Sequence, residues 1–257
     1  MKAIEISNLT VRFGGLLAVD DFSFEVRKGD IHSLIGPNGA GKTTVINTIT
    51  GLYPVSGGSI RVAGKEVLGS SPPAISRAGV ARTFQNTEIF GEMSVFENVL
   101  VGSHCRHEYG LTAAMFRTPK YWRVERSMRE KARDLLDIVG LSADSDKIAS
   151  SLSFGKQRAL EIARALASEP KLLLLDEPAA GLRSGEISHL NEALLNLRKQ
   201  HELTILLVDH VMKVVMSISD EITVLNFGRK IAEGKPDVVR MDKEVRRAYL
   251  GDNPDRA

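Results

Sequence analysis

A single cysteine, Cys105, in 257 residues leaves no intramolecular disulfide to form, and no CxxC pair or His-rich partner at metal-ligand spacing accompanies it. A chain of this length buries a sizeable core without such staples, so a reducing compartment is the natural expectation. Charge of one sign is equally scarce: 34 Lys and Arg against 32 Asp and Glu give a formal net charge of +2. That near-balance argues against a dominant polyanion-binding face and predicts no nucleic-acid partner. No apolar run approaches the roughly 20 residues that span a bilayer; the nearest, KLLLLDEP and TILLVDH, are cut short by acids. The start, MKAIEISNLTVRF, alternates polar and apolar residues and lacks a signal-peptide core. A cytoplasmic protein is expected, with any membrane role coming through partners. Internal repeats, low-complexity stretches and Pro/Gly/Ser linkers are also missing, which predicts one continuous domain, 1–257, carrying a subdomain.

With 43% hydrophobic and 26% charged residues, the composition is that of an ordinary globular protein rather than a disordered one. Ile4 and Ile6, then Phe22, Phe24 and Val26, recur at period two, and SIRVAGKEV (59–67) reads as a hairpin turning near Ala63 and Gly64. These predict a small antiparallel N-terminal sheet. Short apolar runs at Ile31 to Ile35, Leu172 to Leu175 and Ile205 to Val208, each followed by a turn and a helix-like stretch, predict buried parallel strands in an α/β core. From about 92 to 169 the period becomes helical, with Met128, Ala132, Leu135, Leu136 and Val139 on one face before Gly140, a plausible stop. A helical subdomain inserted between two core strands is the simplest interpretation. Pro236 to Leu250 reads as one amphipathic C-terminal helix in a tail reaching residue 257, with Val238, Val239, Val245, Ala248 and Leu250 as its apolar positions.

Residues 36 to 44, GPNGAGKTT, fit G-x-x-x-x-G-K-[ST] through Gly36, Gly41, Lys42 and Thr43, directly after an apolar run. A polyphosphate needs several backbone N–H groups converging on its oxygens, and glycines at 36, 39 and 41 allow the close wrapping that this demands. The whole loop, Gly36, Pro37, Asn38, Gly39, Ala40, Gly41, Lys42, Thr43 and Thr44, is therefore the candidate nucleotide cradle. Lys42 can reach the β and γ phosphates, Thr43 can place its hydroxyl on Mg²⁺, and the helix that follows presents the positive end of its dipole. The ligand implied is a nucleoside triphosphate with Mg²⁺.

KLLLLDEP ends an apolar run with two adjacent acids, and strand alternation sends their side chains in different directions at the C-terminal edge. Asp176 can then serve Mg²⁺ while Glu177 takes a proton from an attacking water. On sequence alone the acids could instead cap the next helix. LSFGKQ (152–157) leads into RALEIARALASEP, so Ser153 and the N–H of Gly155 stand at a helix N-terminus suited to an anion. Since a phosphate already has a cradle at residue 41, this second site implies either a long-range closure within one chain or, more simply, a head-to-tail dimer.

In this order the motifs resemble those of the nucleotide-binding subunits of ABC transporters, and the likeness runs over essentially the whole chain. GPNGAGKT is similar to the family's Walker A loop, Gln85 in ARTFQN to its Q-loop, LSFGKQ to its signature, LLLLDE to its Walker B strand with the catalytic glutamate, and His210 in ILLVDH to its switch histidine. The resemblance implies a phosphate-loop NTPase fold and ATP hydrolysis at sites shared between two subunits. It also implies Glu177 as general base, His210 at the γ-phosphate, and Gln85 at Mg²⁺ and the attacking water. Ser153, Phe154, Gly155 and Lys156 would face the neighbour's nucleotide. Phe13 matches the position whose ring stacks on adenine, although a core Phe on an amphipathic strand reads nearly as well.

Four positions depart from the common pattern. Phe154 stands where many relatives have Gly, Lys156 where Gln is usual, Arg183 where Asp or Asn is common, and Asp209 in place of the usual Glu before the switch histidine. Lys156 brings positive charge against the dipole of its own helix. RTFQNTEIF, EMSVFENVLVG, the insertion through AMFRTPKYWRVE, DEPAAGL and the ending RRAYLG are similar to the ATP-binding subunits of branched-chain amino acid uptake systems. The partners so implied are a second ATP-binding subunit, identical or paralogous, integral membrane permease subunits and, indirectly, an extracytoplasmic substrate-binding protein. The chain would then sit on the inner face of the cell membrane. Urea uptake, lipopolysaccharide export and soluble DNA-repair or translation ATPases are the alternatives. The insertion from about 103 to 127 carries Arg106, His107, Arg117, Lys120, Arg123 and Arg126 among Phe116, Tyr121 and Trp122, and reads either as a solvated basic face or as a contact with permease loops or lipid headgroups.

Overall fold

The computed structural model describes residues 1–83, 88–104 and 115–250. Strands β1 (Lys2–Phe13) and β2 (Leu16–Arg27) pair antiparallel, and β1 also pairs with β4 (Gly57–Val62), which turns into β5 (Lys65–Glu66). The period-two residues Ile4, Ile6, Phe22, Phe24 and Val26 are all buried, which is what fixes the register of this sheet. The turn between β4 and β5 uses Ala63 and Gly64 at φ 48° and 79°, both left-handed as a two-residue hairpin turn requires.

The second sheet has six strands in the order β10-β9-β3-β8-β7-β6. They are β3 (Ile31–Ile35), β6 (Val80–Arg82), β7 (Leu172–Asp176), β8 (Thr204–Val208), β9 (Glu221–Asn226) and β10 (Arg229–Gly234). All run parallel except β10, which returns antiparallel on β9. β3, β7 and β8 are buried along their whole length, hence their unbroken apolar runs. In β7 the alternation sends Leu172 and Leu174 into a core shared with the antiparallel sheet and helix α1 (Lys42–Ile49). Leu173 and Leu175 enter a second core, shared with the helical layer. Each such leucine contributes about 2 kcal/mol of burial, so one strand ties the two halves of the molecule together.

That layer lies between β6 and β7 in the chain: α3 (Val95–Ser103), α4 (Pro119–Ile138) and α5 (Phe154–Leu166), after a short α2 (Pro72–Arg77). α3 starts with a reciprocal cap, Ser94 Oγ accepting from the Glu97 N–H at 3.1 Å and Glu97 Oε2 accepting from the Ser94 N–H at 2.8 Å. Helices α6 (Ser184–His201) and α7 (Met212–Ile218) follow β7 and β8. The tail differs from the single helix read in the sequence: it forms α8 (Pro236–Met241) and α9 (Lys243–Leu250). Asp242 between them is extended (ψ 131°), and its Oδ1 accepts from the N–H groups of Glu244 at 2.7 Å and Val245 at 3.1 Å. A residue that caps a new helix in this way ends the old one. Val239 and Val245 join Ile35 in a third apolar cluster, whereas Val238 is 63% exposed.

Because β3, β8 and β7 are neighbours and parallel, the segments that leave them all emerge at one sheet edge. Open α/β sheets bind ligands at that edge, and the candidate site is built there.

Candidate nucleotide-binding site

The loop from β3 to α1 is shaped by its packing as much as by what it could hold. A Cβ on Gly36 would lie 2.0 Å from the Leu225 carbonyl oxygen of β9, and one on Gly41 would lie 2.7 Å from that of Ala18 in β2. These two glycines are required by close approach to the chain's own backbone, not by a ligand. Gly39 (φ 78°) faces open space, so it supplies the left-handed turn. The Gly228 N–H holds the loop from outside, donating to the Ala40 carbonyl at 2.9 Å.

The Lys42 ammonium donates to the carbonyls of Gly36 (2.7 Å) and Pro37 (2.9 Å) and so lies across the mouth of the loop. Burial pushes Lys42 below its usual range, opposed by the nearby carboxylates of Glu177 and Asp176. Asn38, Gly39 and Thr43 are exposed, while Ala40 and Lys42 are buried. The result is a tight glycine-rich turn closed around one ammonium, the kind of backbone that can wrap a polyphosphate.

At the next edge position, Asp176 is almost wholly buried and its Oδ2 accepts from Arg82 at 2.9 Å. The same guanidinium donates to Asn47 Oδ1 of α1 at 2.6 Å. Burial raises the Asp176 carboxyl above the usual carboxylate range despite Arg82. The reading of these acids as helix caps does not hold: α6 begins at Ser184, and its first N–H groups include that of Arg183, taken up by Glu186 Oε2 at 2.8 Å. Glu177 leaves the strand with φ 51°, its N–H donating to the Val208 carbonyl of β8 at 2.7 Å. That left-handed step, costly for a residue with a Cβ, turns the Glu177 carboxylate to within 3.7 Å of His210 Nδ1. His210 is itself open to solvent, and Asp209 beside it is buried. One Asp209 oxygen accepts from the Ala179 N–H at 3.0 Å and the other from the Val211 N–H at 2.8 Å. Aspartate therefore reaches both partners at the position where glutamate is usual.

The LSFGKQ segment stands apart from these groups in the helical layer. Ser153 caps α5 in position but makes no side-chain bond to the helix, and Ser153, Phe154 and Lys156 are exposed. Lys156 does not confront its helix dipole alone: its ammonium binds Asp144 Oδ2 at 2.5 Å, and Asp144 Oδ1 also holds Lys147 at 2.7 Å. The Phe154 ring lies under the Arg158 guanidinium, 5.4 Å away, and over Gly181. A Cβ on Gly155 would come within 2.6 Å of Glu186 Oε1, so the segment is packed directly on the start of α6.

Phe13 is 39% exposed and meets Tyr53 edge-on at 5.1 Å; it is not the core residue that an amphipathic strand also allowed. Gln85, Arg106 and His107 lie outside the described residues. Sequence reasoning overlooked Arg82, whose only signal is a cation at the end of a strand before the glutamine segment. It also overlooked Tyr249 of α9, beside Gly36 of the loop, whose titration partial desolvation pushes up. The donor set that could meet a Mg²⁺ ion, the exposed Thr43 hydroxyl and the Asp176 carboxylate, is all oxygen, as that hard cation prefers. Among the described residues, no group of three or more His, Cys, Asp or Glu side chains is placed to hold a metal ion.

A phosphate-loop nucleotide-binding fold is what this sheet order and edge define. The ABC transporter family profile matches residues 19–180, and that of the branched-chain amino acid ATP-binding cassette transporter matches residues 229–255. The chain is 46% identical over 249 residues to the high-affinity branched-chain amino acid transport ATP-binding protein BraF of Pseudomonas aeruginosa, covering 97% of this chain and 98% of that one. It is 45% identical, at the same coverage, to LivG of Escherichia coli K12. Among solved structures, the ADP conformation of MJ1267, an ATP-binding cassette of an ABC transporter, superposes with a TM-score of 0.85 at 34% identity, covering 98% of this chain and 99% of that one. The chain belongs to the ABC transporter family of ATP-binding cassettes and is an ATPase subunit of that type. No helix among the described residues is long and apolar enough to cross a membrane.

Proposed function

We propose that this chain powers uptake of branched-chain amino acids, binding ATP from the cytoplasmic side of permease subunits and closing on a second ATP-binding subunit over two shared nucleotides. The observation that carries the reading is the division of the site. Glu177, His210 and Lys42 converge at one sheet edge, while Ser153 stands exposed and uncapped in the helical layer. Two chains facing head to tail satisfy both halves at once.

In this mechanism the triphosphate lies along residues 36–44, and Lys42 exchanges the Gly36 and Pro37 carbonyls for phosphate oxygens. Phe13 offers its exposed ring to the adenine. Thr43 and Asp176, with Gln85, would hold Mg²⁺, which would supply positive charge against the phosphates. Glu177 accepts the proton of the attacking water, and His210, beside that carboxylate, donates to the γ-phosphate. Ser153 and the Gly155 N–H close the neighbour's site, with Phe154 and Lys156 at its rim. The transported amino acid never contacts this chain; an extracytoplasmic binding protein and the permease select it. Support for that cargo comes from the profile over residues 229–255 and from the named relatives.

The test is Glu177→Gln. It should retain ATP binding, lose turnover by on the order of a thousandfold, as removal of a general base does, and accumulate a closed dimer. Unaltered hydrolysis would refute the base. Mixing a Ser153→Ala subunit with a Lys42→Ala subunit should leave one competent composite site; full activity in that mixture contradicts the shared arrangement.

A further inference from the structure

The segment that leads into α4 and forms its first two turns carries two features that the nucleotide site does not use. Residues 115–126 read MFRTPKYWRVER, with Arg117, Lys120, Arg123 and Arg126 all exposed and Glu125 as the single acid. Glu125 is ion-paired to Arg129 at 3.7 Å, and none of the four cations meets a carboxylate among the described residues. From Arg129 to Ile138 the same helix has three cations and three acids, so the imbalance is local. Among these charges Met115, Phe116 and Trp122 are 77%, 74% and 55% exposed. Met128, Ala132, Leu135 and Leu136 turn the opposite stripe of α4 into the core, which holds the basic and aromatic arc outward.

A merely solvated basic face accounts for the cations but not for three large apolar side chains left in water beside them. Cations on long stems around exposed aromatic rings are the chemistry of a bilayer surface: the rings sit at headgroup depth while Lys and Arg reach the phosphates. A groove for an acidic polypeptide would need walls, and among the described residues the clefts flanking α5 are lined by other residues.

We propose that residues 115–126 form a peripheral contact for anionic lipid headgroups, holding the cassette against the membrane beside its permease; this rests on the importer reading above. The full-length chain carries its own probe, because Trp122 is its single tryptophan. With vesicles of phosphatidylcholine containing phosphatidylglycerol, its emission should shift to the blue and the chain should co-sediment, with binding that weakens as salt rises. Pure phosphatidylcholine should give neither. Replacing Lys120, Arg123 and Arg126 with Ser should weaken partitioning by on the order of a hundredfold, at about 1 kcal/mol per cation near an anionic surface, while ATP binding stays unchanged. An unshifted emission, equal binding to both vesicles, or undiminished binding of the triple variant overturns the proposal. Equal affinity for soluble polyglutamate overturns it in favour of an acidic protein partner. Failure of the wild type to bind ATP would strike the importer reading instead, whatever the vesicles show.

Discussion

Arg82 joins two parts of the molecule with one guanidinium, Asp176 at the end of β7 and Asn47 in α1. Its partner is buried and already titrates high. Arg82→Met should therefore destabilise the fold by about 3 kcal/mol, the usual cost of orphaning a buried charge, seen as a lower urea midpoint with an unchanged slope. Adding Asp176→Asn should recover part of that loss. Lys156 shows the opposite case. Sequence alone sets its charge against the helix dipole; the structure gives it Asp144, twelve positions earlier, an ion pair that no local pattern announces.

Between elements, one close constraint lies where α5 meets α6. Glu186 fastens the Arg183 N–H at the start of α6 and leaves its other oxygen against Gly155 of α5. Gly155→Ala would put a methyl 2.6 Å from that oxygen, and the carboxylate can yield only by releasing its cap. Chemical denaturation should report a loss of about 1 kcal/mol, the worth of a helix cap. Placed on a Glu186→Ala background the same substitution should cost nearly nothing, because the two changes act on one contact. The parallel strands β3, β7 and β8 and the antiparallel sheet were legible from periodicity, since Ile4, Phe22 and the leucines of β7 face the sides that alternation assigns, whereas the parallel strands β6 and β9 were not read. The break at Asp242 was not: a polar residue inside a helical pattern looks the same whether it points outward or caps a new helix. The glycines of the phosphate loop were legible as a motif, but not for the reason that Gly36 and Gly41 obey, which is the position of β9 and β2.

Across the whole molecule, His32 gives stability a pH dependence. It sits in the centre of β3, 1% exposed, bonded through Nε2 to Thr223 Oγ1 at 2.8 Å and edge-on to Phe24. Burial pushes its pKa from 6.5 down to about 4. Above pH 6.5 both folded and unfolded chains hold it neutral and it contributes no slope. Below that, the unfolded chain gains a proton that the folded one refuses, so stability falls as pH drops toward 4, by up to about 3 kcal/mol. Denaturation midpoints across that interval measure it, and the slope should flatten in His32→Gln whatever that variant's absolute stability. The meeting of the phosphate loop, the paired acids and His210 at one edge followed from three buried runs that each end in a turn. What the runs left open was how the loops are fastened to one another.

Asp209 is one such fastening. With one oxygen on Ala179 and the other on Val211, a single carboxylate clasps the chain just after Glu177 to the chain just after His210. A displacement of either strand end is thereby passed to its neighbour, so Glu177 and His210 move as one unit.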